Sequence, residues 1–184
     1  MPTIESSGLR IAILGNSGSG KSTLASALSR AANLPILDLD TVAWEPEQVA
    51  VPRSIELACQ DVQAFCQRNQ GWVVEGCYTA LIQAALEHGA KLILLNPGPE
   101  ACLSNCQSRP WEMHKYASKE EQDANLPFLL SWVSGYYSRR DAMSWEAHLK
   151  CFNAFGGSKL EIRSRPDVGK LVSELIACER STCG

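Results

Sequence analysis

The segment that most constrains the fold of this chain is Gly15-Asn16-Ser17-Gly18-Ser19-Gly20-Lys21-Ser22-Thr23. It follows a short apolar run and precedes leucines and alanines at helical spacing, which is the pattern of a strand, a loop and a helix. Its glycines allow the backbone to turn successive N–H groups toward phosphate oxygens, and the following helix directs its positive end to the same point. We therefore predict that this loop binds the phosphates of ATP or, as the less favoured alternative, of GTP.

Two side chains of this loop have defined tasks in such a site. Lys21 is expected to reach the β and γ phosphates as a mobile positive charge. The Ser22 hydroxyl is expected to join the coordination shell of a Mg²⁺ ion.

Strand patterns alternate with helical patterns along most of the chain. The predicted strands are 9–14, 35–38, 72–75, 91–95 and 160–162. Such alternation implies a parallel sheet with helices on both faces, in which ligands bind at the carboxyl ends of the strands. Four segments follow those ends and are candidate site segments: 15–22, 38–40, 75–78 and 96–99.

The helical patterns complete the predicted architecture. After Arg53, inward-facing positions are predicted at Ile55, Cys59, Val62 and Phe65. Further helices are predicted at 81–86, at 101–108 and at 168–176, and Leu126, Leu129, Leu130, Val133 and Tyr137 follow helical spacing within a long insertion. We predict an α/β fold of the P-loop NTPase class, a three-layer α/β/α sandwich with a five-stranded parallel sheet. It is expected as one domain over 1–184, with a core of 9–108 and 156–180 and a helical insertion at about 109–155.

Carboxylates end two of the predicted strands. Asp38 and Asp40 flank Leu39, so in an extended segment they point to one side, next to the phosphate loop. They are candidates for holding Mg²⁺ through water and for orienting or deprotonating an acceptor hydroxyl, and capping of the next segment is the alternative. Glu75 ends the third strand, where an acid can orient the metal, and Gly76 allows a substrate to approach the backbone closely.

The bulk composition narrows the functional classes. A net charge of -3 and a pI near 5.6 produce no field that attracts nucleic acid, so nucleic acid is an unfavoured partner. No apolar run approaches the roughly 20 residues of a membrane span, and the N-terminus lacks the layout of a secretory signal. We expect a cytoplasmic protein without a membrane partner.

The eight cysteines lack the paired spacing of a disulfide framework. We expect free and largely buried thiols. Cys102 and Cys106 lie one helical turn apart, which would suit a metal pair, but no matching second pair is present in the sequence.

These residues carry a family resemblance that covers nearly the whole chain. The similar segments are the phosphate loop, Leu37-Asp38-Leu39-Asp40 with Trp44 and Pro46, and Trp72-Val73-Val74-Glu75-Gly76-Cys77-Tyr78. They resemble the small P-loop kinases related to adenylate kinase and shikimate kinase and, within that group, the proteins labelled DNA topology modulation proteins. The resemblance implies a five-stranded sheet, an acceptor-binding helical region after the second strand and a mobile lid after the fourth.

The insertion occupies the lid position of that family and carries several cations. Arg109 is similar to the arginine at the start of the family's lid, and Arg139 and Arg140, beside Asp141, to its arginine-rich end. Arginines delivered by a closing lid stabilise the charge that spreads over a transferred phosphoryl group, and the closed lid excludes water. A solvated surface position is the alternative for each of them. Lys115 and Lys119 are weaker candidates for this role, and His114 is a weak candidate for a general base.

The identity of the acceptor is the least defined prediction. After the Glu-Gly pair, nucleoside monophosphate kinases of this family usually have an arginine that holds the acceptor phosphate, whereas here Cys77-Tyr78-Thr79 follows. This departure favours a small hydroxylated acceptor, or an aromatic one stacked on Trp44, Tyr78 or Trp111. Packing is an equally good explanation for these rings.

We predict an ATP- and Mg²⁺-dependent phosphotransferase that acts on a small-molecule hydroxyl or a nucleotide, as a monomer or homodimer. The residues expected to act on the transferred group are Lys21, Asp38, Asp40, Arg109, Arg139 and Arg140. The residues expected to hold the metal are Ser22 and Glu75, and those expected to bind the acceptor are Asp40, Trp44, Gly76 and Tyr78.

Two other functions remain open. A P-loop ATPase or GTPase switch would need no acceptor pocket, but the Asn-Lys-x-Asp segment with which a GTPase reads guanine is absent from the sequence. A nucleic-acid-associated regulator would need a basic surface, against which the acidic pI argues.

Overall fold

The computed structural model describes residues 8–45, 51–113 and 116–182. Three residues used in the sequence predictions, Pro46, His114 and Lys115, lie outside these ranges. No helix in the described ranges is both long enough and apolar enough to span a membrane.

The described residues form one five-stranded sheet, and the predicted fold class is confirmed. Its strands are β1 Arg10–Gly15, β2 Ile36–Asp38, β3 Trp72–Gly76, β4 Lys91–Leu95 and β5 Lys159–Ile162. Their order across the sheet is β2-β3-β1-β4-β5, and every pair of neighbours is parallel. Because all strands run in one direction, their carboxyl ends meet at one edge, which is where the phosphate loop begins.

Helices connect the strands and cover both faces of the sheet. In chain order they are α1 Lys21–Ala32, α2 Asp40–Ala43, α3 Ile55–Arg68, α4 Thr79–Leu86, α5 Pro99–Gln107, α6 Lys119–Ser134, α7 Trp145–Ala154 and α8 Val168–Thr182. A short 3₁₀ helix, Gly135–Tyr137, lies between α6 and α7.

The two-residue period of the central strand divides the core into two clusters. Ile11 and Ile13 of β1 pack with residues of α1 and α8, whereas Ala12 and Leu14 pack with residues of α3 and α4. All four β1 side chains are fully buried. A strand buried on both faces reads as a continuous apolar run, as the sequence of β1 does.

The prediction for α3 was partly wrong. The buried face of α3 consists of Ala58, Val62 and Cys66, and Ile55 is 48% exposed. Cys59 and Phe65 pack against the core only partly buried. The apolar residues around Val62 give α3 two possible buried faces in the sequence. Contact with the sheet buries the face that consists of the smaller residues.

The segment between Asp40 and Arg53 contains some regular structure. It begins with α2, and Trp44 then forms an antiparallel bridge with Pro52. A four-residue helix is too short to show a helical period in the sequence.

The inserted helix α6 packs mainly against α5. Its Val133 is fully buried in a small cluster with Cys102 and Cys106, whereas Phe128 on its outer face is 69% exposed. The helix begins at a cap in which Ser118 Oγ accepts a hydrogen bond from the Glu121 N–H, and it contains Pro127.

The cysteines described by the structure are free thiols, as the sequence predicted. Five of them are buried and Cys59 is half-buried, whereas Cys178 is exposed. Burial raises the pKa of the buried thiols Cys102 and Cys106, which keeps both protonated at neutral pH.

Candidate functional site

A cavity of about 520 Å³ opens at the carboxyl ends of the strands. The phosphate loop lines it on one side, and Asp38, Asp40 and Glu75 line it beyond the ends of β2 and β3. The sequence predicted that these groups meet at this edge, and the structure brings them into one cavity.

The phosphate loop is pressed against α5 at Gly18. This residue has a φ of +74°, and a Cβ there would lie 2.2 Å from the Cys102 carbonyl oxygen. The Asn105 side chain of α5 donates a hydrogen bond to the Gly18 carbonyl at 2.8 Å. Gly20 also has a positive φ, +95°, but has no atom within 4 Å of the position of a Cβ. Gly18 is therefore required by both conformation and space, and Gly20 by conformation alone.

Polar groups in the loop are buried at the cavity wall. Lys21 is 9% exposed and Ser19 is 3% exposed. The Lys21 ammonium donates to the Asn16 carbonyl at 2.9 Å, whereas Ser19 Oγ has no hydrogen-bond partner among the described residues. A buried hydroxyl without a partner is costly in an apolar interior, and a phosphate oxygen would accept a hydrogen bond from it. The loop thus fits the phosphates of a nucleotide.

Ser22 and Glu75 form a close pair beneath the loop. The Ser22 hydroxyl donates to Glu75 Oε1 at 2.6 Å, and Asp38 lies directly beside Glu75 in the strand register. Burial raises the pKa of Glu75, whereas Lys21 and the Ser22 hydrogen bond act in the opposite direction. One hydroxyl and two carboxylates are hard oxygen donors of the kind that Mg²⁺ takes in nucleotide sites, so these residues fit the expected metal.

A chain of hydrogen bonds holds the Asp40 carboxylate. The Trp44 indole N–H donates to the Tyr78 hydroxyl at 3.0 Å, and that hydroxyl donates to Asp40 Oδ1 at 2.9 Å. The Asp40 N–H in turn donates to Asp38 Oδ1 at 3.0 Å. Asp40 is the first residue of α2 rather than part of the strand, yet both aspartates line the cavity. Trp44 and Tyr78 do not line it, and they reach it through Asp40.

Two of the cavity walls carry arginines. Arg109, predicted from the sequence, lines the cavity, and its guanidinium forms an ion pair with Glu112 at 2.9 Å. Arg165, which the sequence reasoning did not single out, lines the cavity together with Pro166. Arg165 and Pro166 follow β5, at the opposite edge of the sheet from Asp38, whereas Arg109 follows α5. The rule that ligands meet the carboxyl ends of strands would have indicated Arg165 if it had been extended to the fifth strand.

The two arginines at the end of the lid segment have partners within that segment. Arg139 donates to the Trp132 carbonyl at 2.6 Å and to the Met143 carbonyl at 2.8 Å, and its guanidinium lies 3.4 Å from the centre of the Trp132 ring. Arg140 is paired with Glu146 at the surface. Neither is among the residues that line the cavity in this conformation, so their role in transfer stays a prediction.

Buried hydrogen bonds attach the lid segment to the core. The Asn16 side chain of the phosphate loop donates to the Val133 carbonyl at 3.1 Å. His148 of α7 lies 2.8 Å from the Cys77 carbonyl and 2.7 Å from the Tyr136 hydroxyl. Burial lowers the pKa of His148 to about 4, so at neutral pH the imidazole is uncharged and donates to the carbonyl.

Comparison with known proteins finds matches among solved structures but none among family models or curated sequences. Solved structures match over nearly the full length. A gluconokinase from Sinorhizobium meliloti 1021 superposes with a TM-score of 0.52 at 15% identity, over 97% of this chain and 95% of that one. A sugar kinase from Janibacter sp. HTCC2649 gives 0.55 at 14%, over 92% of each chain.

A shikimate kinase from Aquifex aeolicus has a TM-score of 0.51 and 18% identity, with 96% of this chain and 99% of that one covered. The chain has the P-loop kinase fold. At such low identity the likeness concerns the fold alone, and the finer resemblance to proteins labelled DNA topology modulation proteins stays a prediction.

Proposed function

We propose that this protein is a kinase that transfers the γ-phosphoryl group of ATP to a hydroxyl group of a small molecule. The observation that carries the proposal is that one cavity joins a phosphate loop to the carboxylates at the ends of two neighbouring strands. A hydrolytic switch needs the phosphate loop and a metal site, whereas this cavity also contains Asp40, a carboxylate beyond those proposed to hold the metal. Asp40, held in place by Tyr78, is a group that can accept a proton.

In the proposed complex the loop N–H groups, the Ser19 hydroxyl and Lys21 bind the β and γ phosphates. Ser22, Glu75 and Asp38 would hold Mg²⁺, which neutralises negative charge on the phosphate oxygens when it is bound. We assign the nucleoside to the side of β4 and β5, where Arg109 and Arg165 line the cavity.

The acceptor hydroxyl is assigned to the side of β2 and β3. Its oxygen forms the new bond to the γ phosphorus while the bond to the bridging oxygen breaks, and ADP leaves with that electron pair. The Asp40 carboxylate accepts the hydroxyl proton, and Lys21 stabilises the charge on the transferred group. Arg139 and Arg140 would contribute only after exchanging their present partners for the phosphates.

Transfer of label from γ-³²P-ATP tests the proposal. Nucleosides, nucleoside monophosphates, polyols and amino sugars are supplied as acceptors, and labelled product is compared with an acceptor-free control. We expect labelled product with at least one class, and a loss of at least about 100-fold in the Lys21→Ala variant. The Lys150→Ala variant, which removes an exposed lysine of α7, is the matched control and should transfer at the normal rate.

Equal ATP consumption with and without every acceptor would contradict the proposal and favour the hydrolytic switch. Salt-dependent binding of DNA at physiological ionic strength would favour the regulator instead.

A further inference from the structure

The part of the chain that forms the proposed acceptor side has few basic residues. Residues 31–90, which run from the end of α1 through β2 and β3 to the end of α4, contain no lysine and two arginines. Residues 91–184 have nearly balanced charge, with 12 basic and 11 acidic residues. The acidic residues of the first segment are Asp38, Asp40, Glu45, Glu47, Glu56, Asp61, Glu75 and Glu87.

Neither arginine of this segment reaches the cavity. Arg53 forms an ion pair with Asp61, and the Arg68 guanidinium donates to the Ala64 carbonyl one turn earlier in its own helix at 3.1 Å. Both are absent from the residues that line the cavity in the described part of the chain. The part of this segment outside the described ranges, 46–50, contains Glu47 and no basic residue.

The cations that do lie near the cavity are committed to other groups. Lys21 is bound to the Asn16 carbonyl and, in the proposed function, to the donor phosphates. Arg109 is paired with Glu112, and Arg165 lies across the sheet beyond β5. An acceptor with a carboxylate or phosphate group would therefore lie between Asp40 and the anionic donor, where none of the cations that line the cavity in the described ranges would compensate its charge. Burying an unpaired charge beside like charges is strongly unfavourable.

We infer that the acceptor is an uncharged or amine-bearing hydroxyl compound, and that a protonated amine close to the reacting hydroxyl strengthens its binding through Asp40. The inference rests on the proposed function and names the acceptor class for it.

The test compares acceptors that share a skeleton but differ in charge. One triplet is glucosamine, glucose and glucuronate, and a second is ethanolamine, ethylene glycol and glycolate. Binding is measured by calorimetry on the full chain loaded with Mg²⁺ and a non-hydrolysable ATP analogue, and transfer is measured separately with γ-³²P-ATP. We expect the amine to bind about tenfold more tightly than the neutral compound, and the carboxylate to bind at least about tenfold more weakly.

Two variants that each remove one negative charge test whether Asp40 causes the preference for the amine. Asp40→Asn should abolish the preference for the amine while leaving the affinity for the nucleotide analogue unchanged. Glu87→Gln removes a carboxylate at the end of α4, near the start of β1, and should leave the preference intact because it is far from the cavity. Raising the salt concentration should reduce the preference in the parent protein.

The possible results separate the inference from the proposed function. Tightest binding or fastest transfer with the carboxylates would overturn the inference, and transfer would still support a kinase. Amine-selective binding without transfer to any acceptor would support the inference on binding and contradict the kinase. Failure of all six compounds to bind, or equal preference in the Asp40→Asn variant, would also overturn it.

Discussion

The phosphate loop and the lid segment, residues 109–155, both carry cations expected to act on phosphates, but they hold them differently. In the loop Lys21 is buried and lies directly at the cavity, and Gly18 is fixed against α5. In the lid segment Arg139 and Arg140 are bound to residues of that same segment, and the Arg140 side chain is 79% exposed. The loop is therefore already shaped for its ligand, whereas the lid arginines must exchange partners before they can act.

The lid segment is also uneven within itself. Val133, Tyr136 and His148 are buried where it meets the core, whereas Met113 and Phe128 on its outer side are 74% and 69% exposed. In the burial of its side chains, the outer side of the lid segment therefore differs most from the phosphate loop, and its base differs least. Four measurements test this difference between the phosphate loop and the lid segment.

The largest effect on stability is expected at Gly18. A Gly18→Ala substitution adds a methyl group 2.2 Å from the Cys102 carbonyl at a φ of +74°, and should lower the free energy of unfolding by roughly 3 to 5 kcal/mol. Gly20→Ala has only the unfavourable φ to contend with and should lower the free energy of unfolding by roughly 1 to 2 kcal/mol. Urea unfolding followed by circular dichroism measures both. Equal costs would show that the loop is not held against α5.

The next effect comes from His148 at the base of the lid. Its folded pKa of about 4 lies below the ordinary 6.5, so the unfolded chain binds the proton first as pH falls. The stability due to the neutral imidazole is full above pH 6.5 and declines as pH falls toward 4, by roughly 3 kcal/mol in total.

The unfolding free energies of the parent and the His148→Gln variant are measured across this pH range. Their difference separates the contribution of His148 from that of the titrating carboxylates. A difference that does not change with pH would show that the base of the lid is open to solvent.

A smaller effect separates the two lid arginines. Arg139→Ala removes two hydrogen bonds to carbonyls and the contact with Trp132, and should cost roughly 2 kcal/mol of unfolding free energy. Arg140→Ala removes only an exposed ion pair, and should cost less than about 0.5 kcal/mol. If both variants retain full transfer activity, the arginines of this end of the lid have no part in catalysis.

The smallest effect is expected on the acceptor side, where Tyr78 fixes Asp40. Tyr78→Phe should lower kcat about tenfold, because Asp40 loses the hydrogen bond that orients it, with little change in the KM for ATP. Trp44→Phe, which removes the next hydrogen bond along the same chain, is the control and should have a smaller effect on kcat. An unchanged kcat in Tyr78→Phe would contradict the positioning role.

Patterns within short stretches of the sequence predicted those parts of the molecule whose structure depends on residues close together in the chain. The spacing of Gly15, Gly20, Lys21 and Ser22 indicated the loop because each position has a physical task in holding phosphate. The apolar run of β1 indicated a strand buried on both faces, because burial on both sides leaves no polar position.

The rest depends on which surfaces meet in space. Nothing within the sequence of α3 shows which of its two apolar stripes contacts the sheet. Arg139 pairs with the Asp141 carboxylate, but its other hydrogen-bond partners are backbone carbonyls, which every residue carries, so no residue type marks those partners in advance. Arg165 reaches the cavity because β5 ends beside β4, a neighbour that only the sheet order establishes.

The contact between Gly18 and α5 has a thermodynamic consequence. Since the loop is held in shape by that contact and by Asn105, its conformational entropy is lost during folding and need not be lost again on binding. Nucleotide binding should therefore cost little conformational entropy at the loop. Because the groups that the loop offers are polar, binding there should also bury little apolar surface and change the heat capacity only slightly. A large negative change would report apolar surface buried elsewhere, and the exposed side of the lid is where this chain has such surface to bury.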